Sequence, residues 1–233
     1  MEILEISKRF CGPPNSGNGG YVCGLIDNHT DFVSEVTLRK PPPLEVALQL
    51  YGKPGESNLM NEEILVAVAK PGVVDVDIPD SVEWEEAKAS SKNYIGFQEK
   101  HPFPSCFVCG PQRASGDGLN VFAGKVEGRS VYASPWIPDK SLSNDEGTVK
   151  NEFLWAAMDC PGAFAIMGKQ PKTLVLGRMT AEIEREVPIG ETCVVISWKL
   201  ESEGKKHFCG TAIYNSNHEL CGKSKATWID IGG

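Results

Sequence analysis

The sequence predicts an α+β fold made of two similar halves, each with mostly antiparallel strands and one main apolar helix. Three observations predict it. Segments rich in strand-forming residues dominate the chain, an apolar helical segment stands at the head of each half, and the same order of elements occurs twice. Hydrophobic residues make up 41% and charged residues 23% of the 233 residues, which is ordinary for a globular protein with a real core.

The first half begins with a glycine-rich segment that leads into a short apolar helix, residues 17–26. An extended strand is expected over 33–43, where three consecutive prolines end it because proline cannot donate to a strand ladder. A second strand follows at 46–51, then a turn at 58–62 and a third strand at 64–69.

The second half repeats this order. An apolar helix is predicted over 147–167 and a long strand over 174–187, which ends at Pro188-Ile189-Gly190 as the earlier strand ends at its prolines. The remaining segments are strands at 193–200, 207–214 and 219–231, with a polar turn at 215–218. The repetition predicts two units of the same topology.

The region between the halves has a different character. Residues 81–97 mix charged with apolar side chains and predict a surface helix, and Pro102-Phe103-Pro104 predicts a rigid connector. We therefore expect an N-terminal half over 1–100, a connector over 101–118 and a C-terminal half over 119–233.

The overall charge and the cysteines limit the partners. A formal net charge of −8 argues against nucleic-acid binding, because phosphate contacts need a basic surface. No apolar run follows Lys8-Arg9 as in a signal peptide, and no segment approaches the ~18 apolar residues of a membrane span. The eight cysteines are scattered, which is typical of reduced thiols. We expect a cytoplasmic protein without nucleic-acid or membrane partners.

Two motifs carry a resemblance to a known family. Asn18-Gly19-Gly20, followed by an apolar helix, resembles the His-Gly-Gly helix start of the hot-dog thioesterase superfamily. Residues 155–163 resemble the helix segment of that family in which an acidic residue precedes small ones. A further motif, Cys106-Phe107-Val108-Cys109-Gly110, is similar to a segment of thioesterase-like proteins. The resemblance implies a double hot-dog fold, with an antiparallel sheet wrapped around a central helix in each half.

The spacing of the acidic residues extends this resemblance to both halves. In the family, the acid lies seven positions after the second glycine. Asp27 stands seven positions after Gly20, and Asp159 stands seven positions after Glu152. The first half keeps the glycines but places Asp27 in a polar run that is expected to be a loop. The second half keeps its acid in an apolar helix but lacks the glycines.

Family dimers build a site across two hot-dog units, so the resemblance implies one composite site in a fused pair. It implies hydrolysis of an acyl-CoA-type thioester, with Asp159 as base or nucleophile and oxyanion donors from Gly20 and Gly19. Asn18 would support the turn into the helix. No cofactor is implied, and a homodimer is left open.

The residue types suit that chemistry, and each also has an ordinary structural reading. Backbone N–H groups at a helix start can bind the charge that develops on a thioester oxygen, at ~2.7–4 kcal/mol for one donor. A glycine-rich turn with Asn18 as a helix cap explains the same residues. Asp159 near a helix end, among apolar residues, should have a pKa above ~3.9, although capping a neighbouring turn is the alternative.

Other candidate substrate contacts are Trp155 for the acyl group and Lys206 and His207 for the phosphates of a nucleotide. Arg39-Lys40 is a second candidate for the phosphates. Core packing and solvated turns are the alternatives.

Cys106 and Cys109 form a Cys-x-x-Cys pair, with His101 five residues before it. We interpret the pair as structural thiols and predict no metal, because no second pair supplies the two further ligands that tetrahedral zinc needs. Cys160 or His29 remains a possible partner in space, so a metal site stays open as an alternative, as does a redox role.

Other functions remain as alternatives to the hydrolase. One is a non-catalytic protein that binds acyl-thioesters or CoA esters on the same fold, and another is a zinc-stabilised interaction module. A hydratase or dehydratase ranks lower because no Asp and His stand together at a helix start. The Gly-x-Ser-x-Gly elbow of α/β-hydrolases is absent from the sequence.

Overall fold

The computed structural model describes residues 1–98, 101–114, 116–170 and 172–232. The predicted α+β class with mostly antiparallel strands is confirmed. The N-terminal elements are β1 (Glu2–Leu4), α1 (Gly19–Asp27), β2 (Ser34–Leu38), β3 (Leu48–Lys53), β4 (Glu56–Asn61) and β5 (Ile64–Pro71). The middle of the chain forms α2 (Trp84–Ser91) and α3 (Ile95–Gln98). The C-terminal elements are β6 (Gly124–Lys125), β7 (Tyr132–Trp136), α4 (Asn151–Ala157), α5 (Cys160–Met167), β8 (Leu174–Ile183), β9 (Cys193–Glu203), β10 (Lys206–Tyr214) and β11 (Leu220–Asp230).

All the strands of the described residues belong to one antiparallel sheet with the order β1-β3-β4-β5-β2-β8-β11-β10-β9-β7-β6. The N-terminal strands run β1-β3-β4-β5-β2, and the C-terminal strands run β7-β9-β10-β11-β8, with β6 added at the β7 edge. Both halves therefore use the same order of a leading strand, a helix, a further strand and a three-stranded meander. The halves join where β2 pairs with β8, with Val36 opposite Met179.

Helices α1 and α4 pack antiparallel to each other and connect the halves a second time, beside the sheet. The start of α1 lies at the end of α4, and the end of α1 lies at the start of α4. Gly24 makes this approach possible, because a Cβ there would lie 2.6 Å from the Glu152 Cα. Trp155 is fully buried in the core at this contact.

Three local expectations were wrong. Residues 58–61 belong to strand β4 and not to a turn, because Ser57 and Leu59 are buried and the segment pairs with β3. The helix expected over 147–167 is two helices, α4 and α5, separated at Met158 and Asp159. Asp27 is the last residue of α1 and not part of a loop.

The middle region also differs in detail from its prediction. Instead of one helix over 81–97, the chain forms α2 and α3, and α2 packs against β6, β7 and β9. No helix among the described residues is long and apolar enough to cross a membrane.

Candidate active site

The structure brings Asn18, Gly20 and Asp159 into direct contact between the two halves. The Asn18 Nδ2 donates a hydrogen bond of 2.7 Å to the Asp159 Oδ2, and the Gly20 backbone N–H donates one of 3.1 Å to the same oxygen. Asn18 and Asp159 are each 2% exposed. Asp159 lies 141 positions after Asn18 and 139 after Gly20, and the fold brings the three residues into one buried polar cluster.

Local sequence explains both sides of this cluster. Asn18 is the N-cap of α1, and its Oδ1 accepts a hydrogen bond of 2.9 Å from the Tyr21 N–H. Pro161 lies in the first turn of α5, where its missing N–H is tolerated, whereas inside a longer helix its ring would clash with the preceding turn. The chain therefore bends at Asp159, and the Asp159 side chain reaches the start of α1.

Glycine is the only residue type that fits at position 20, because α1 comes very close to Asp159 and α4 there. A Cβ at position 20 would lie 2.5 Å from the Asp159 Cβ and 2.8 Å from the Trp155 carbonyl oxygen. The backbone oxygen cannot move away without breaking α4. A side chain at position 20 would consequently push the carboxylate away from the helix start that holds it.

The second oxygen of Asp159 is buried without a partner. The Oδ1 accepts no hydrogen bond from any described residue, although its neighbour Oδ2 accepts two. Burial raises the pKa of the Asp159 carboxyl from 3.8 to about 7, and the bond from the Gly20 N–H acts against this rise. A buried carboxylate with one unpaired oxygen is able to accept a proton or attack an electrophile.

The cluster lies in the wall of a cavity of about 420 Å³. Asn18, Gly19 and Asp159 border this cavity, and its other walls are mainly apolar. The larger apolar residues in the walls include Phe103, Phe164, Met167, Leu176 and Trp228. Both the volume and the lining are typical of a pocket for a small organic group.

Two cationic side chains stand at the border of the same cavity. Arg39 and Lys40 follow strand β2 directly, and both are exposed. Neither side chain forms an ion pair within the part of the chain that the structure describes. This rim is therefore a local positive patch on an otherwise acidic protein, and it can attract an anionic group.

The structure does not bring the other three predicted substrate contacts to this cavity. Trp155 is fully buried in the core and does not border the cavity. Lys206 and His207 lie at the start of β10, and neither borders the cavity. The His207 Nδ1 lies 2.8 Å from the Ser202 Oγ. Their role in binding substrate stays a prediction, and Arg39-Lys40 has the better position.

A second Asn–Asp contact lies at the opposite end of the α1–α4 pair. The Asn151 Nδ2 donates a hydrogen bond of 2.9 Å to the Asp27 Oδ2. Beside it, the Asn28 Nδ2 donates one of 3.0 Å to the Glu152 Oε2. Asp27 and Asn151 do not border the cavity. The spacing predicted the equivalence of Asp27 and Asp159, but no pattern in the sequence predicted that Asn151 would bind Asp27 as Asn18 binds Asp159.

A cluster of three thiols adjoins Asp159. The sulfurs of Cys106, Cys109 and Cys160 lie within 4.8 Å of one another, all three residues are buried, and all three border the cavity. Hydrogen bonds from the Cys109 and Cys160 thiols hold the pKa of Cys106 below its usual range. All eight cysteines are free thiols. The Cys-x-x-Cys spacing predicted the first two members, and Cys160 joins them through the fold.

The same architecture is found in a solved structure of another protein. A tesB protein of Mycobacterium avium subspecies paratuberculosis matches 98% of this chain and 91% of its own, with a TM-score of 0.64 at 9% identity. The chain has a hot-dog-type fold. The hot-dog resemblance seen in the sequence motifs is thereby confirmed at the level of fold.

Smaller hot-dog proteins match part of the chain. The Escherichia coli PaaI protein from the phenylacetic acid degradation operon covers 64% of this chain and 97% of its own, with a TM-score of 0.48 at 14% identity. Zebra fish thioesterase superfamily member 2 covers 52% of this chain and 89% of its own, with a TM-score of 0.43 at 17% identity. No protein-family profile matches the sequence, and no curated protein matches it in sequence.

Proposed function

We propose that this chain hydrolyses an acyl-CoA-type thioester at a single site between two fused hot-dog units. One observation carries the proposal. Asn18 and Gly20 from the start of α1 hold the buried Asp159 of the other half at the wall of a cavity of about 420 Å³. The carboxylate is the reactive group, and the cavity takes the acyl chain.

The repeated strand order supports two fused units. In each half, a leading strand precedes the helix, and the last strand of the meander pairs with the first strand after the helix. We assign one hot-dog unit to each half, each with its own central helix, α1 in one and α4 with α5 in the other. The connector over 101–118 lies between them.

The reaction needs a base or nucleophile and a donor to the thioester oxygen. In the hydrolytic route, the Asp159 Oδ1 takes a proton from water while the water oxygen bonds to the carbonyl carbon. The C–S bond then breaks, and the thiol leaves with that proton. In the other route, the same oxygen bonds to the carbonyl carbon, the C–S bond breaks and the thiolate leaves, and water then hydrolyses the acyl anhydride and restores the carboxylate. Both use the oxygen that has no partner in the structure.

Gly19 is the best-placed donor for the thioester oxygen. It borders the cavity and is the first residue of α1, where backbone N–H groups lack partners within the helix. The Gly20 N–H is already bonded to Asp159, so its main role is to orient the carboxylate. Asn18 shares that role, since one amide group both caps α1 and donates to Asp159.

The cavity border supports a CoA-type leaving group. Arg39 and Lys40 place two positive charges at the rim, and the apolar walls suit an uncharged acyl chain. The phosphates of the thiol carrier would meet the rim while the acyl group enters the cavity.

The experiment compares two matched variants, Asp159→Asn and Asp27→Asn, on a panel of acyl-CoA esters. Both exchange a helix-end carboxylate that accepts from an Asn of the other helix, but only Asp159 borders the cavity. We expect Asp159→Asn to lower kcat/KM by about 10²–10⁴-fold and Asp27→Asn to leave it nearly unchanged. Equal rates for wild type and Asp159→Asn would remove Asp159 from the reaction.

A non-catalytic acyl-thioester binder is the second candidate. The observation that favours it is that Asp159 already occupies the Gly20 N–H, which a thioester oxygen would otherwise use. Calorimetric titration with a non-hydrolysable CoA thioether separates the two. Tight binding without turnover of any ester in the panel supports the binder, and turnover lost in Asp159→Asn supports the hydrolase.

A further inference from the structure

Three buried thiols that the proposed hydrolysis does not use lie together in the cavity wall. The Cys106 and Cys160 sulfurs are 3.6 Å apart, and the Cys109 sulfur lies within 4.8 Å of both. In tetrahedral zinc sites with Zn–S bonds of about 2.3 Å, two sulfurs are about 3.8 Å apart. A disulfide would need about 2.0 Å. The spacing matches thiolates that share one ion.

The Cys-x-x-Cys segment forms a tight turn that presents both of its thiols to Cys160. The Gly110 N–H donates a hydrogen bond of 2.9 Å to the Cys106 carbonyl oxygen. A Cβ at Gly110 would lie 2.5 Å from that oxygen, so only glycine fits the turn. A neighbouring segment also holds the turn between the two cysteines, because the Val121 N–H donates a hydrogen bond of 2.9 Å to the Val108 carbonyl oxygen.

A buried amide lies beside two of the sulfurs. The buried Asn18 Nδ2 lies 4.0 Å from the Cys106 sulfur and 3.8 Å from the Cys160 sulfur. N–H groups aimed at sulfur stabilise the negative charge of metal-bound thiolates.

His101 is close to the cluster but is not a ligand. Its Nδ1 accepts a hydrogen bond of 2.9 Å from the Phe103 N–H, and its Nε2 lies 2.8 Å from the Tyr94 hydroxyl. The Tyr94 hydroxyl in turn donates 2.9 Å to the Cys109 carbonyl oxygen. Both ring nitrogens of His101 therefore have hydrogen-bond partners, and His101 stabilises the turn through Tyr94.

We propose that Cys106, Cys109 and Cys160 bind one Zn²⁺ as thiolates, with the fourth coordination position open to the cavity. Because all three residues border the cavity, a water molecule or a thiol entering it can reach that position. Binding forms three Zn–S bonds, and three S–H protons pass to solvent. Three protein ligands with an open fourth position are typical of zinc sites that bind a small ligand. The inference is independent of the proposed hydrolysis.

The test is cobalt substitution of the full-length protein. We expect purified protein to contain one Zn²⁺ per chain, and the chelator-stripped protein to take up one Co²⁺ under reducing, anaerobic conditions. Co²⁺ bound to thiolates in a tetrahedral site gives a sulfur-to-metal charge-transfer band and intense visible bands, which Zn²⁺ then removes. Failure of the stripped wild type to develop these bands would overturn the proposal.

Matched serine variants locate the site. Cys106→Ser and Cys160→Ser should lose the bands, while Cys193→Ser, which changes another buried free thiol in β9, should keep them. If a ligand variant does not fold, wild-type thiols are alkylated with and without Zn²⁺ and mapped by mass spectrometry. Protection of all three cysteines by Zn²⁺ supports the site. Cobalt bands that persist in Cys160→Ser, or a Cys106–Cys160 disulfide in metal-free purified protein, would overturn it.

The open position is tested with 2-mercaptoethanol added to the Co²⁺ form prepared with a non-thiol reductant. A shift of the visible bands, with an increase in the charge-transfer band, supports a fourth position that a thiol can reach from the cavity. Bands unchanged at saturating thiol would overturn the open position, because a fourth protein ligand would then fill it.

Discussion

The two ends of the α1–α4 pair have the same plan and different surroundings. At each end, an asparagine near the start of one helix donates to an aspartate at the end of the other, Asn18 to Asp159 and Asn151 to Asp27. Asp159 is buried at the wall of a cavity, whereas Asp27 is partly exposed and borders none.

The residues beside each asparagine account for the difference. Gly19 and Gly20 leave backbone N–H groups and space next to Asp159. At the other end, Glu152 stands where the second glycine would be, and its carboxylate binds Asn28. The Asn–Asp contact is present at both ends and therefore serves to join the two helices. The glycines and the cavity are what make one end a candidate site.

The largest effect should come from filling the glycine at the Asp159 end. We expect Gly20→Ala to lower the free energy of unfolding by about 3 kcal/mol, because its Cβ would lie 2.8 Å from the rigid Trp155 carbonyl oxygen. Urea unfolding measures it. Gly52→Ala is the control, since its nearest contact would be 3.7 Å away. Equal unfolding midpoints for the two variants would contradict the close packing at this end.

A smaller difference should separate the two asparagines. Asn18→Ala removes the α1 cap and one donor to the buried Asp159, and we expect a loss of about 2 kcal/mol in unfolding free energy. Asn151→Ala removes a hydrogen bond at a more exposed acid, and we expect a loss below about 1 kcal/mol. The same urea experiment compares them, and a larger loss for Asn151→Ala would reverse our ranking of the two ends.

The pH dependence of stability should reveal the partial burial at the Asp27 end. Burial raises the pKa of the Asp27 carboxyl above its ordinary value of 3.8, so the folded protein keeps a proton that the unfolded chain releases first. Stability from this group therefore falls as pH rises from that value through the raised pKa, and it is constant above. The Asp27→Asn variant lacks this loss.

Thermal unfolding of wild type and Asp27→Asn across that pH interval measures the difference. The variant should gain stability relative to wild type as pH rises. A constant difference between the two proteins at all pH values would mean that Asp27 titrates alike in the folded and unfolded chains.

The smallest effect is expected at the exposed junction of the two halves. The Arg178 Nη1 lies 3.1 Å from the Glu35 Oε1 across the β2–β8 pair, with the two side chains 47% and 37% exposed. We expect Arg178→Ala to lower the unfolding free energy by less than about 1 kcal/mol, and this loss should shrink further at high salt. A loss larger than that of Asn18→Ala would show that the sheet junction, and not the helix pair, governs the association of the halves.

The sequence predicted the parts of the site that a local pattern specifies. The glycine pair and the helix that follows it pointed to Gly20, and the 155–163 segment that resembles the family pointed to Asp159. The single helix expected over 147–167 was wrong because the chain breaks at Met158 and Asp159, just before Pro161. The turn expected at Asn58 was wrong because pairing with β3 and β5 outweighs the preference of polar residues for turns.

Other parts depend on tertiary contacts that no local pattern encodes. Cys160 stands 51 positions after Cys109, and only the packing of α5 against the connector places its sulfur in the cluster. Similarly, the bond between Asn151 and Asp27 forms only because α1 and α4 lie side by side.

The reciprocal Asn–Asp contacts make the two halves depend on each other. Each aspartate accepts a hydrogen bond from an asparagine of the opposite half. A change that separated the halves would remove both amide donors at once. Because both halves belong to one polypeptide, each asparagine stays at a high effective concentration beside the acid that it binds.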